Sequence, residues 1–263
     1  MNIKSDLEAI KAQKKGNPSR ILTIDIERLP GLAHVWDQKT SFVSYRNFVQ
    51  QPTTICWAAR WYGQSRVIFE SAWKSRDRMI ERAWELFDEA DAVVTFNGDK
   101  FDIPHLQGDW LREGYGPPSP YKSIDLYKMA RNRFGLVSNG LDHLTRELGY
   151  KGKETRYSIE MAQAAMSGDR TAQKELRTYN ASDVELTEWA HDRLTGWLPG
   201  HPHMRPTSEL VCNQCGSKEL TQLAKPYRAV LLEYLAYRCD VCKGVIRTNW
   251  NTKRVAVSRG VKS

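Results

Sequence analysis

The segment Ile21-Leu22-Thr23-Ile24-Asp25-Ile26-Glu27 constrains this chain more than any other. Its β-branched residues, its period-two alternation and its lack of Gly or Pro predict a strand. Leu22, Ile24 and Ile26 fall on one face, and Thr23, Asp25 and Glu27 on the other, because successive side chains point to opposite sides. Two carboxylates two residues apart on one face of an apolar strand raise each other's pKa unless something positive sits between them. A divalent cation meets that need, since hard cations take carboxylate oxygens. An edge strand with a solvated acidic face is the other reading, and the remaining chain must decide between them.

The chain has 263 residues, enough for one good-sized core and a small extra module. Mean hydropathy is −0.58, and no apolar run reaches the ~18 residues of a membrane span. Lys4 to Lys15 is polar and has neither the apolar core nor the cleavage site of a signal peptide. The expectation is a cytoplasmic protein with no membrane partner. The net charge is +8 and is unevenly spread. From Pro206 onward there are ten Lys/Arg against four acids, so this part carries +6 of the total. A basic terminal module is the usual footprint of a nucleic-acid partner, although a charge excess also serves solubility.

Along the chain, Ser5 to Glu8 has capping-box spacing, which predicts a short N-terminal helix to about Lys15, ended by Gly16-Asn17-Pro18. The acidic strand follows, and Leu29 to Thr40 reads as loop. Thr53–Tyr62 and Arg66–Glu70 are predicted strands. Met79, Ile80, Ala83, Trp84 and Phe87 recur at helical spacing within a helix predicted over Arg76–Asp88. Ala92–Phe96 is a buried strand, Asn97-Gly98 a turn, and Asp102-Ile103-Pro104 an N-cap region at the start of a helix that His105–Glu113 continues. Helices are predicted over Ile124–Arg133, Leu141–Leu148, Ser158–Met166 and Thr171–Leu194. Gly149 to Lys153 reads as a basic loop. The Pro- and Gly-rich stretch 196–208 is a linker. The implied organisation is an extension over 1–19, a mixed sheet backed by helices over 20–195, the linker 196–208, and a terminal module over 209–263.

Three acidic stretches stand out. Asp25 and Glu27 share one strand face, Asn97-Gly98-Asp99-Lys100-Phe101-Asp102 follows a buried strand, and Tyr179 and Asp183 share one helical face four residues apart. Asp-x-Glu, Asn-x-x-x-Phe-Asp and Tyr-x-x-x-Asp, in this order, resemble the three motifs of the DEDD exonuclease superfamily. They are most similar to its Tyr-containing (DEDDy) branch, which includes the proofreading domains of family B DNA polymerases. The resemblance covers about Arg20 to Leu194. It implies an α/β RNase H-like fold and a 3′→5′ exonuclease. It also implies Asp25, Glu27, Asp102 and Asp183 as ligands of two Mg²⁺ or Mn²⁺ ions, with Tyr179 orienting the attacking water. Four carboxylates have the capacity to hold such a pair of ions. With an ordinary pKa near 10, Tyr is a better hydrogen-bond positioner than base at neutral pH. Asp99 is the alternative to Asp102, and Asp125 reads as a helix N-cap. None of His105, His143 and His191 has the spacing of the superfamily's histidine branch.

Of five cysteines, Cys56 lies in an apolar run and reads as core. Cys212-x-x-Cys215 and Cys239-x-x-Cys242 form two knuckles with 23 residues between them. In a reducing compartment this pattern reads as one structural Zn²⁺ held by four thiolates. A glycine at or just past each second Cys (Gly216, Gly244) frees the backbone to turn. The intervening residues are rich in β-formers, which predicts a small zinc ribbon with a basic tail. The combined expectation is a two-module hydrolase acting on single-stranded nucleic acid, DNA favoured, with a replication or repair protein as a further partner. A structure-specific endonuclease and a non-catalytic nucleic-acid-binding adaptor are the alternatives.

Overall fold

The computed structural model describes residues 19–150, 156–198, 209–229 and 232–254. The expected N-terminal helix, the basic residues 151–153, most of the linker and the end of the basic tail lie outside these. The chain divides into two compact units, one spanning Arg20–His191 and one that includes Asp192–Ser263.

The first unit is organised around β1 (Ile21–Leu29), the central strand of a five-stranded sheet. β4 (Thr53–Trp61) pairs antiparallel with β1, and β5 (Ile68–Ser71) antiparallel with β4. On the other side, β6 (Ala92–Thr95) and β7 (Lys122–Asp125) continue the sheet in parallel. The order is β5-β4-β1-β6-β7, a mixed sheet with helices on both faces. Between β1 and β4 a short hairpin, β2 (Leu32–Ala33) and β3 (Phe48–Gln50), stands as a separate two-stranded ribbon.

Alternation along β1 divides the core in two. Leu22, Ile24 and Ile26 join Trp57, Ala59 and Trp61 beneath α1 (Ala72–Glu89) and α2 (Asp102–Arg112). Trp57 and Trp110 are fully buried, and their indole N–H groups donate to the Met79 and Ile80 carbonyls at 2.8 and 3.2 Å, as buried tryptophans require. The helix predicted from Arg76 starts earlier, at Ala72, and is interrupted one residue before Arg76. Ser75 breaks the helix with extended φ/ψ, and its Oγ accepts from the Arg78 N–H at 3.2 Å. On the opposite face, Leu29, Ile55 and Cys56 pack against α5 (Ile159–Met166) and α6 (Arg170–Leu194) through Ala162, Ala165, Ala172 and Leu176. Small residues let these helices approach the sheet closely.

Two predicted elements differ from the structure. Ile124 and Asp125 belong to β7 rather than to the helix, and α3 (Leu126–Arg133) begins after them. The Asp125 side chain caps α3 by accepting from the Lys128 N–H at 3.1 Å, so the capping expectation places the boundary. The stretch predicted as loop from Leu29 contains β2. The helix predicted at Leu141 is α4 (Leu141–Glu147).

The second unit carries two three-stranded antiparallel sheets. β8 (Leu220–Gln222), β11 (Ala236–Cys239) and β12 (Val245–Arg247) form one. β9 (Tyr227–Ala229), β10 (Leu232–Tyr234) and β13 (Lys253–Arg254) form the other. No helix among the described residues is long and apolar enough to cross a membrane.

Candidate functional site

The polar face of β1 meets small neighbours. Asp25 lies opposite Ala58 and Glu27 opposite Cys56 in the β1–β4 register. Those short side chains leave the two carboxylates room on the α5/α6 side. A β-bulge follows at Glu27/Arg28, ending the regular alternation just past the second acid. Helix α6 then delivers Asp183. Carboxylate oxygens of Asp25, Glu27 and Asp183 all lie within 4.8 Å of one another, and Glu27 and Asp183 are buried. Mutual repulsion in such a trio is relieved by a divalent cation, and an all-carboxylate donor set suits Mg²⁺ or Mn²⁺. The donor chemistry therefore fits a metal ion at this place.

Tyr179, one turn before Asp183 on α6, hydrogen-bonds the Asp183 carboxylate. Burial, then the charges of Asp183 and Glu27, and last that of Asp25, push its hydroxyl well above the ordinary range. Tyr179 therefore stays protonated and acts as a donor. Its ring lies 6.5 Å from that of Tyr157.

Asp102 is placed differently from the trio. It opens α2 and is almost fully buried, and its Oδ1 accepts from the Ile26 N–H at 3.0 Å. The β1–β6 pairing ends at Thr23 and Val94, so the Ile26 N–H has no sheet partner on that edge and Asp102 supplies one. The carboxyl grips the backbone midway between Asp25 and Glu27. Asp99, the alternative to Asp102, is turned elsewhere, accepting from Ser123 Oγ and pairing with Lys128 Nζ at 3.4 Å. Asp125 holds the turn between them. Its carboxylate accepts from the N–H groups of Asn97 (2.9 Å) and Asp99 (3.3 Å), with Asn97 in the left-handed region at φ 68°.

Two residues without an assignment in the sequence hold the site together. Asn180 is completely buried, and its Nδ2 donates to both the Asp25 Oδ2 at 2.7 Å and the Asp25 carbonyl at 3.1 Å. A weak helix former buried between Tyr179 and Asp183 is a signal in itself, because such a residue needs a polar partner. Tyr157 gives no such signal. Its hydroxyl donates to the Arg28 carbonyl at 2.6 Å, fixing the bulge beside Glu27. Burial first, then the Glu27 charge, push it up to about 12. Further along α6, Glu188 and Glu185 are both held by Arg60 of β4, at 2.9 and 3.3 Å.

In the second unit the four thiols expected to share a metal come together, with all Sγ atoms within 4.8 Å. Cys215 and Cys239 are 3.5 Å apart, and Cys212 and Cys242 3.7 Å apart. These separations match the ~3.8 Å edge of a tetrahedron with metal–sulfur bonds of ~2.3 Å, so the residues fit a closed four-thiolate centre. The two knuckles turn alike, through Gly216 N–H to Cys212 O and Lys243 N–H to Cys239 O. Gly216 takes φ 79° as expected, but in the second knuckle Lys243 holds the left-handed position at φ 61°. Gly244 is small for another reason: a Cβ there would strike Gln214 Oε1 at 1.7 Å.

The RNase H superfamily profile matches residues 50–195. The chain belongs to the RNase H superfamily. Asp25 and Glu27 lie before the matched span. DNA polymerase 1 of Sulfolobus acidocaldarius is 28% identical over 136 residues, covering 43% of this chain and 14% of that protein. DNA polymerase 1 of Saccharolobus solfataricus is 26% identical over 123 residues, covering 41% and 14%. The chain thus spans about a seventh of the length of these curated relatives. The family B DNA polymerase of Pyrobaculum calidifontis shares the fold, with a TM-score of 0.51 and 19% identity over 68% of this chain and 25% of that one.

The Asp102 environment has a measurable consequence. Burial above all, together with the Asp125 charge, raises its carboxyl to about 7, against the Ile26 and Asp102 N–H groups, which lower it. An unfolded Asp titrates near ~3.9. The folded chain therefore keeps a proton that the unfolded chain has released between these values. That contribution to stability is fully present below pH ~4 and is lost as pH rises through about 7. Asp102→Asn keeps the acceptor for Ile26 and removes the titration. In buffer stripped of divalent metal, wild type should lose stability relative to Asp102→Asn between pH 5 and 8, by on the order of 2–4 kcal/mol. Parallel stability profiles for the two proteins would contradict this.

Proposed function

We propose that this chain is a metal-dependent 3′→5′ exonuclease that hydrolyses phosphodiester bonds at the 3′ end of single-stranded nucleic acid, with DNA favoured. The observation that carries the reading is the convergence of Asp25, Glu27 and Asp183 with Tyr179 bonded to Asp183. Asp25, Glu27 and Asp183 would hold divalent metal, and Asp102 would complete the set from α2. When bound, two such ions supply a metal-activated water and stabilise the leaving oxygen. Tyr179, held neutral, offers its hydroxyl as a hydrogen-bond donor to position the nucleophile and does not serve as the base. Asn180 and Tyr157 hold the β1 acids in place. The exonuclease module spans 20–195, and the segment 209–263 is a zinc ribbon that anchors nucleic acid or a replication or repair protein. The similarity to archaeal DNA polymerases supports the nuclease class.

Strands of DNA and RNA labelled at either end test the reaction. In Mg²⁺ or Mn²⁺ a 3′ label should leave as a mononucleotide in the first turnovers, while 5′-labelled strands shorten stepwise. Internal fragments at early times would show an endonuclease, and no cleavage in either metal would overturn the reading. Asp25→Ala and Asp183→Ala should each cost on the order of 10³-fold in kcat without unfolding the chain. Tyr179→Phe should cost less, up to about 100-fold, and leave metal affinity unchanged. A Tyr179→Phe variant that loses Mn²⁺ affinity as severely as Asp183→Ala would overturn its assigned role.

Protein purified without chelator should carry zinc on Cys212, Cys215, Cys239 and Cys242, and elemental analysis finding none would contradict the ribbon. The terminal segment carries +6 of the net charge, and neutralising phosphates releases counterions. Truncation after about Gly200 should therefore leave an active nuclease with weaker binding and a shallower salt dependence. Equal binding by truncated and full-length protein at every salt concentration would point to a protein partner for the ribbon instead.

A further inference from the structure

The β2–β3 hairpin gathers apolar side chains that the fold leaves in solvent. Within eighteen residues Trp36 is 101% exposed, Phe42 80% and Tyr45 72%, and Leu32, Val35 and Val49 are each more than half exposed. Isolated exposed apolar residues are ordinary, but six within eighteen residues of one arm are a concentration that marks an interaction site.

The arm does not depend on these side chains for its shape. Its base is fixed by β2–β3 pairing and by the His34 N–H to Asn47 O bond at 2.9 Å. Phe48 lies so close over Gly31 that a Cβ there would meet it at 2.7 Å. The turns are set by polar groups: Lys39 N–H donates to Asp37 Oδ1, and Arg46 N–H to Ser44 Oγ. The base and turns of the arm are therefore held by groups other than its large exposed aromatic side chains.

Charge and position name the occupant. Lys39 and Arg46 outnumber the single acid of the arm, Asp37. The Arg46 guanidinium lies over the Tyr45 ring at 5.6 Å, setting a cation beside an aromatic face. Spaced aromatic faces interleaved with cations are the means by which single strands are held without sequence preference, bases stacking on rings and phosphates meeting cations. An aliphatic groove for a partner helix is a different pattern. The arm also leaves the sheet directly from β1. Trp36 follows Glu27 by nine residues, a reach of at most ~30 Å along the chain.

We propose that the arm carrying Trp36, Phe42 and Tyr45 is a stacking platform for unpaired bases of the single strand whose end enters the acidic site. This extends the nuclease reading above and rests on it for the direction of the strand. The test separates binding from chemistry. Fluorescence anisotropy of a labelled oligodeoxythymidine of about 30 nucleotides, in metal-free buffer, reads binding alone. The p-nitrophenyl ester of thymidine 5′-monophosphate, too small to reach the arm, reads hydrolysis alone. Trp36→Ala and Phe42→Ala should each weaken oligonucleotide binding by about 5- to 100-fold, the loss of one stacked base. Trp36→Phe should retain most of the affinity, and hydrolysis of the ester should not change in any of the three.

Unchanged oligonucleotide affinity in Trp36→Ala and Phe42→Ala would overturn the platform, whatever the ester shows. Sedimentation as a dimer that becomes monomeric in these variants would also overturn it, placing a second copy on the arm. Failure of the wild-type protein to hydrolyse the ester in Mg²⁺ or Mn²⁺ would count against the nuclease reading, and the binding result would still decide the platform.

Discussion

The bond between Asn180 and Asp25 joins residues 155 apart in sequence. It ties the last helix of the first unit to its first strand at the point where the acids converge. Ala172 and Leu176 pack α6 against the apolar part of the same sheet face, and apolar packing is not directional. A buried amide bonded to both the carboxylate and the carbonyl of Asp25 sets the rotation as well. That places Asp183 beside Asp25 and Glu27. The arrangement has a cost, since it gathers like charges in a partly buried place. Groups on β4 and α2 hold these two elements as well. Arg60 takes up Glu188 and Glu185 of α6, and Asp102 holds the β1 backbone through the Ile26 N–H.

The protonation states follow from this crowding. Tyr179 and Tyr157 both sit beside the acids and are both pushed upward, so each enters the site as a neutral hydroxyl. One donates to Asp183 and the other to the Arg28 carbonyl. In a site of this kind the tyrosines hold geometry and the carboxylates carry charge, a division of roles set by electrostatics and burial. Asp102 falls between the two classes. Its raised carboxyl ties its charge state to whatever else occupies the site.

Much of this was legible in the residues, for identifiable reasons. The β1 face was readable because strand alternation is strict, so Asp25 and Glu27 had to share a side. Tyr179 and Asp183 were readable because helical spacing is equally strict. The Asp125 cap follows a local rule, which is why α3 begins where that side chain acts. What local pattern could not give was pairing across the chain. Nothing in Tyr157 foretells a bond to the Arg28 carbonyl, and nothing in Asp102 foretells a bond to the Ile26 N–H in place of membership in the close trio. β7 was missed because Lys122 and Ser123 give a four-residue strand no apolar alternation; pairing with β6 makes it a strand. The second knuckle shows the same limit. Gly244 reads as the turning residue, yet Lys243 turns, because the space above Gly244 belongs to Gln214.

The proposed activity depends on a divalent-metal site formed by Asp25, Glu27 and Asp183. A crystal grown in Mn²⁺ and measured near the manganese absorption edge would locate that metal. An anomalous peak bonded to oxygens of all three carboxylates is expected, lost in Asp25→Asn and unaffected by Asp99→Asn. Ordered, metal-free carboxylates in saturating Mn²⁺, or a peak centred on Asp99 and Asp125 instead, would contradict it.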